Sequence, residues 1–398
     1  MFVVVFYIIL CLSIFALLLI LDFKFGRASH LKHARRLPFF EGTGDARLYT
    51  NGSSLYEDLF QSIRDADKQV DVQFFSIETD YISDNFLTVL KEKAEQGVPV
   101  RLLVDRLAGF KMNKHIQKEL TNNGVIFQFA ETPGFPFLFY KMNRRNHRKI
   151  TVIDGKIGYV GGFNIGRNYI GENPKFGNWR DYHLRLTGEI VQGLHDIFED
   201  DWQISKGNKV PLPNAPGRKK ERGITLFPTD GVELEDAFME LFRSAEEEIL
   251  IGSPYFIPTE RLMAELEKSL KLGITLHVMV PLKADHPFVK EGGIPYLERL
   301  YRLGAHVHFY DAGFYHPKMT IIDKKIVDIG TANFDRRSLF LNKEVNTFLY
   351  DPVFIQTVRN SFFKDMEDSI PFDDHWLKHR SWKTRINEKI AVLLRPLL

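Results

Sequence analysis

Cysteine is almost missing from this chain. Cys11 is the single one in 398 residues, so no internal disulfide can form, and the usage is that of a chain kept on the cytosolic side of a membrane. An excess of charge is missing too. Lys and Arg number 53 against 51 Asp and Glu, a net charge of +2. A dedicated nucleic-acid binder usually carries a strong basic excess, so nucleic acid is not expected as a partner. No metal-ligand set stands out among the histidines and carboxylates, and neither a metal nor a cofactor is expected. After residue 21 no apolar run is long enough to cross a bilayer. Disorder is excluded from the other side, since 44% of the residues are apolar and 34 are Phe, ample for a packed core.

The apolar run that is present comes first. Phe2 to Leu21 carries no charge, with Tyr7 and Ser13 as its polar members. As a helix it rises about 30 Å, the thickness of one hydrocarbon core. No Lys or Arg precedes it, unlike a cleaved signal peptide. Lys24, Arg27, Lys32, Arg35 and Arg36 follow it. Basic residues on that flank predict a single-pass anchor over 1–21 in the cell membrane, a basic neck over 22–41, and a body on the cytoplasmic side.

The rest reads as two similar halves, 42–204 and 224–398, around a linker at 205–223 that holds Pro211, Pro213 and Pro216. Helical patterns at Leu55–Ala66 and Val232–Ala245 precede strand-like runs at Val70–Ile77 and Ile249–Phe256. Helices at Asn85–Glu95 and Glu260–Leu272 then end at Gly97 and Gly273, which suit C-terminal caps. Strands at Val98–Val104 and Ile274–Val280 follow. This alternation predicts an α/β fold of two tandem α-β-α domains, with parallel strands covered by helices.

One pattern occurs in both halves. His147, Lys149, Asp154, Gly161 and Asn164 recur as His316, Lys318, Asp323, Gly330 and Asn333, at identical spacing. His and Lys two apart on a strand point to one face, so both reach one phosphate. Neutral imidazole can attack phosphorus, and a protonated one can donate to the leaving alcohol. Lys149 and Lys318 supply charge to the non-bridging oxygens, and Asn164 and Asn333 supply amide donors. Asp154 and Asp323 sit at tight turns between short strands, where holding the turn suits them better than proton transfer. An acid on each ring's far nitrogen is also needed, with Asp181 and Glu344 as candidates. The run Phe135, Phe137, Leu138, Phe139 and Tyr140, beside Lys141, Arg144, Arg145 and Arg148, suggests a lipid entrance, and Phe314 and Tyr315 hold a similar place before His316. His286 is a further pocket candidate.

These residues resemble the phospholipase D superfamily, in particular bacterial cardiolipin synthases of the shorter kind with a reduced N-terminal membrane region. The likeness runs from about Leu48 to Leu398. It includes Trp179-Arg180-Asp181, Ser253-Pro254-Tyr255-Phe256, Asp335-Arg336-Arg337-Ser338, Asn342-Lys343-Glu344 and Pro396-Leu397-Leu398. It implies a bilobal body with pseudo-two-fold symmetry, a phosphohistidine intermediate without a metal, His147 as nucleophile, and His316 as general acid and then base. Asp181 and Glu344 match the acids that orient the rings. Phosphatidylglycerol would be donor and acceptor, with anionic membrane lipids as partners. Two other outcomes fit the same residues: hydrolysis by a phospholipase D-type phosphodiesterase, and a noncatalytic anionic-lipid-binding protein.

Overall fold

The computed structural model describes residues 2–205 and 223–394. The interior of the expected linker and the terminal Pro396-Leu397-Leu398 lie outside the described residues. One mixed sheet of 15 strands runs through both halves. In the first half, Val70–Phe74, Val100–Asp105 and Ile126–Ala130 pair in parallel, as do Glu248–Gly252, Thr275–Pro281 and His306–Tyr310 in the second. The expected parallel sheet stops there. The motif strands Ile150–Ile153 and Met319–Ile322 are antiparallel to their neighbours. Their connections are tight hairpins, far shorter than the crossover a parallel pair requires. Asp154-Gly155 and Asp323-Lys324 all have positive φ, as a type I′ turn demands.

Strand Phe40–Tyr49 joins the halves. It pairs with His183–Gly188 on one side and with Gly223–Asp230 on the other, antiparallel to both. Two apolar clusters fill the halves, the first of them taking in Phe314 from the second half. A third is shared, packing Ile150, Val160 and Leu184 with Ile321, Ile329 and Val345. Helices Ile190–Ile204 and Pro352–Glu367, absent from the sequence reading, supply much of that shared layer.

Helix ends follow local chemistry. Asn51, Asp80 and Thr259 accept hydrogen bonds from backbone N–H groups of the first turns of their helices. Gly97 and Gly273 adopt φ of +86° and +87° just past helices Tyr81–Glu95 and Glu260–Lys271, conformations that a Cβ disfavours.

The N-terminal helix differs from expectation. It does not stop at Leu21 but continues unbroken through the basic stretch, Phe2–His33. Nearly every apolar side chain before Asp22 is exposed. The following turns dock on a short helix, Leu138–Asn143. Phe23 packs edge-on against Tyr140, and the Asp22 carboxylate accepts from the Tyr140 N–H at 2.8 Å. Arg35 and Arg36 pair with Asp200 and Glu233. The basic neck is therefore partly folded against the body, because its charges find carboxylate partners there.

Candidate active site

Each histidine enters the site at the seam between halves. The His147 N–H donates to the Lys343 carbonyl at 3.0 Å, and the Lys343 N–H donates to the Arg145 carbonyl at 2.9 Å. The His316 N–H donates to the Arg180 carbonyl at 2.7 Å, where strand Gly313–Tyr315 pairs in parallel with Asn178–Arg180. Thus each motif lies against the other half's backbone.

The acids follow the same exchange. His147 Nδ1 lies 3.0 Å from Glu344 Oε2, and His316 Nδ1 lies 2.5 Å from Asp181 Oδ2. Both acids come from the opposite half to the ring they hold. Glu344 also accepts from Thr331 Oγ1 (2.6 Å), Ser338 Oγ (2.9 Å) and Asn342 Nδ2 (3.2 Å). The nearby His147, then Lys149 and the Thr331 hydroxyl, hold its carboxyl below the ordinary glutamate range in spite of burial. Asp181 is likewise lowered against burial, by Lys318 and His316, and accepts from the Tyr182 N–H at 2.8 Å. With Nδ1 occupied, each ring has Nε2 left for chemistry.

Burial acts on the bases in the opposite direction. It pushes the Lys149 ammonium down to about 7 and Lys318 to about 8. It lowers His147, and holds His316 at about 4 with help from the Lys318 ammonium and against Asp181. Lys149 Nζ donates to the His147 carbonyl at 2.6 Å, and Lys318 Nζ lies 3.0 Å from His316 Nε2.

His147, His316, Asn164 and Asn333 line one cavity of about 610 Å³. Asn164 Oδ1 accepts from the Ser76 N–H at 3.2 Å, while Asn333 Oδ1 is buried with no hydrogen-bond partner. Asp154 and Asp323 play a scaffold part. Asp154 accepts from the N–H groups of Asp67, Lys68 and Gln69, and Asp323 from those of Glu246, Glu247 and Glu248, all within 2.7–3.0 Å. Each carboxylate so ties its hairpin to the turn that starts the neighbouring strand.

The lipid-entrance expectation needs correction before the second motif; before the first, Phe135 is exposed. Phe314 and Tyr315 are fully buried. Phe314 packs on Trp179, and both rings back the His316 imidazole. Phe137, Tyr140 and Lys141 border a separate cavity of about 810 Å³ beside Gly26 and His30 of the N-terminal helix. The neighbouring cations are neutralised inside the protein, Arg144 by Glu131 and Asp230, Arg145 by Asp105, and Arg148 by Asp201. Sequence showed the aromatics and cations but not the surfaces and carboxylates that cover them. His286 does border the histidine cavity. So does Arg145, and so do two residues that the sequence reading gave no role: Arg337, and Tyr255, whose hydroxyl donates to Asp285 at 2.5 Å.

Gly162 explains itself sterically. A Cβ there would stand 2.0 Å from Asp181 Oδ1, so Gly162→Ala must displace the carboxylate that holds His316. Turnover should fall about 100-fold, the cost of an ångström-scale misplacement, with circular dichroism unchanged. Normal turnover would show that Asp181 need not sit where it does.

A family model described as "Cardiolipin synthase, PLD-like domain" matches residues 59–202 and 238–366. The chain is 40% identical over 365 residues to the minor cardiolipin synthase ClsB of Bacillus subtilis, covering 91% of each. It is 35% identical over 369 residues to cardiolipin synthase 2 of Staphylococcus epidermidis, covering 90% of this chain and 76% of that one. Among solved structures, the phosphatidylserine synthase of Haemophilus influenzae superposes with a TM-score of 0.68 at 14% identity, over 94% of this chain and 100% of that one, a likeness of fold. A duplicated His-Lys-Asp pattern, a shared fold and relatives matched along most of their length lead to one conclusion: the chain belongs to the phospholipase D superfamily, in the family of cardiolipin synthases with PLD-like domains.

Proposed function

We propose that the protein is a cardiolipin synthase, moving a phosphatidyl group from one phosphatidylglycerol to another. The observation that carries this reading is that one histidine from each half opens into a single cavity, with its inner nitrogen tied to a buried carboxylate. In the first step His147 Nε2 attacks phosphorus, the bond from phosphorus to the glycerol oxygen breaks, and His316 gives that oxygen its proton. In the second, His316 takes the hydroxyl proton of the incoming phosphatidylglycerol. The alkoxide oxygen bonds to phosphorus as the P–N bond breaks, giving cardiolipin and free His147. Lys149, Lys318 and the Asn164 and Asn333 amides stabilise the non-bridging oxygens.

The free His316 ring is held at about 4 by burial, so it is neutral near pH 7. An anionic phosphodiester at its outer edge, with Asp181 behind it, favours the imidazolium and supplies the acid form in the complex.

In this reading the two domains, 42–204 and 224–398, form a bilobal body about an approximate two-fold axis. The N-terminal helix is a single membrane anchor, with the basic flank and the body on the cytoplasmic side. Its exposed apolar surface and its length support the anchor.

The assay is phosphatidylglycerol vesicles with purified protein and no added metal. Cardiolipin plus glycerol is the expected result. Phosphatidic acid as the main product would replace transfer by hydrolysis, and tight vesicle binding without turnover would leave a lipid-binding protein. The pH profile should be skewed. His147 attacks as the neutral ring, and burial lowers it, so the acid limb of kcat/KM should fall below the usual imidazole value of about 6.5. The lysines hold their charge below about 7 and about 8 and lose it as pH rises. In the free enzyme His316 loses its acid form already at about 4, so the alkaline limb of kcat/KM, which reports the free enzyme, should lie below that of kcat, where the bound phosphodiester favours both the imidazolium and the charged lysines. An alkaline limb at the same pH in both parameters would count against contact of these cations with the phosphate.

A further inference from the structure

Two buried aspartates outside the repeated pattern occupy matching places. Asp201 lies in the last turn of helix Ile190–Ile204, and Asp365 in the last turn of helix Pro352–Glu367. Asp201 is fully buried, and its carboxylate is a hub. Oδ1 accepts from Lys343 Nζ at 2.8 Å, while Oδ2 accepts from Arg148 at 2.8 Å and from Gln73 and Asn146 at 2.9 Å. Asp365 accepts from Arg180 through two nitrogens, at 2.9 and 2.8 Å, and from the Tyr182 hydroxyl at 3.1 Å.

The cations they hold have one thing in common. Lys343 immediately precedes Glu344, and Arg180 immediately precedes Asp181. Their carbonyls receive the N–H groups of His147 and His316. Lys343 and Glu344 belong to the second half, yet Asp201 belongs to the first, as does His147. Arg180 and Asp181 belong to the first half, yet Asp365 belongs to the second, as does His316. Arg148 reinforces the first interlock by donating across the seam to the Glu344 carbonyl (3.0 Å) and the Thr229 carbonyl (2.9 Å).

We propose that Asp201 and Asp365 are positioning residues, each locking one half's histidine onto the other half's acid, Asp201 through Lys343 and Asp365 through Arg180. The inference rests on the reading of His147 as nucleophile and His316 as proton shuttle. A buried cation without its carboxylate is costly and must move toward solvent or another anion. Here such a movement drags along the peptide that carries the ring's acid. Because the two interlocks serve different rings, they should affect different chemical steps.

A lipid with a p-nitrophenol leaving group separates those steps, since nitrophenolate departs without being protonated. With phosphatidyl-p-nitrophenol the wild-type protein should release a burst of nitrophenolate and label His147. Asp365→Asn should keep the burst rate within about threefold while its transfer from phosphatidylglycerol falls at least tenfold. Asp201→Asn should lose at least tenfold in both. If Asp201→Asn does not fold, as judged by circular dichroism and thermal melting, Lys343→Met should show the same double loss and Lys343→Arg should recover most of the burst. If the folded Asp201 and Asp365 variants share one profile, whether both intact or both defective with each substrate, the interlock proposal is overturned. If the wild-type protein is labelled elsewhere than at His147, the reading of His147 as nucleophile falls, and the proposal with it.

Discussion

His147→Ala is expected to abolish the covalent adduct and to lower phosphatidyl transfer on the order of 10⁶-fold, the scale at which loss of a nucleophile is felt elsewhere. The Nδ1 of His147 is tied to Glu344, which leaves Nε2 toward the cavity. The second imidazole, on His316, is held at about 4 by burial and has Lys318 Nζ 3.0 Å from its Nε2. In the proposed cycle its outer nitrogen carries the proton for the leaving oxygen, which bars it from attacking phosphorus. Brief incubation of the variant with lipid labelled on phosphorus, followed by denaturation at alkaline pH and peptide mapping, gives the answer. A labelled adduct on His316 at the wild-type rate would exchange the two roles. Glu344→Ala should show a smaller version of the same defect, about 100-fold, with label still on His147.

How much of this was legible beforehand depends on the kind of signal. The hairpins were readable because Asp154-Gly155 is a turn pair flanked by short apolar runs, and its repeat at Asp323 fixed the second copy. Asp181 and Glu344 were readable as acids that follow their motifs. Which ring each would hold was not, since the exchange between halves is a property of how two similar domains meet, and no spacing along one chain encodes it. Asp201 and Asp365 were invisible for a simpler reason: a lone Asp among the acidic residues ending an amphipathic helix looks like solvent-facing charge until the buried Lys343 and Arg180 appear beside it. The neck misled in the opposite sense. Lys24, Arg27 and Lys32 look like a tether, but that stretch holds no proline, its Gly26 packs closely on Tyr140, and Phe23 and Asp22 have partners in Leu138–Asn143. The aromatic run before the first motif was read by composition alone. Composition cannot distinguish rings that meet lipid from rings that dock a neighbouring helix.

His316→Ala should slow transfer from phosphatidylglycerol by about 10³-fold, within the range that general acid–base catalysis contributes, and the crossed acids turn this loss into a test of geometry. In the proposed cycle Asp181 acts through His316, its Oδ2 lying 2.5 Å from the ring nitrogen. Glu344 acts through His147. Asp181→Ala alone should cost about 100-fold, and in the His316→Ala background almost nothing further, because the group it orients is gone. Glu344→Ala placed in the same background should still cost nearly its full factor, because the ring it serves is intact. Residues that share one function are non-additive, while residues acting on separate groups add. Steady-state rates for the two double variants against their singles therefore decide the pairing. The reverse pattern, with Glu344→Ala silent and Asp181→Ala fully expressed beside His316→Ala, is what acids kept within their own halves would give, and it would contradict the exchange between domains on which the site is built.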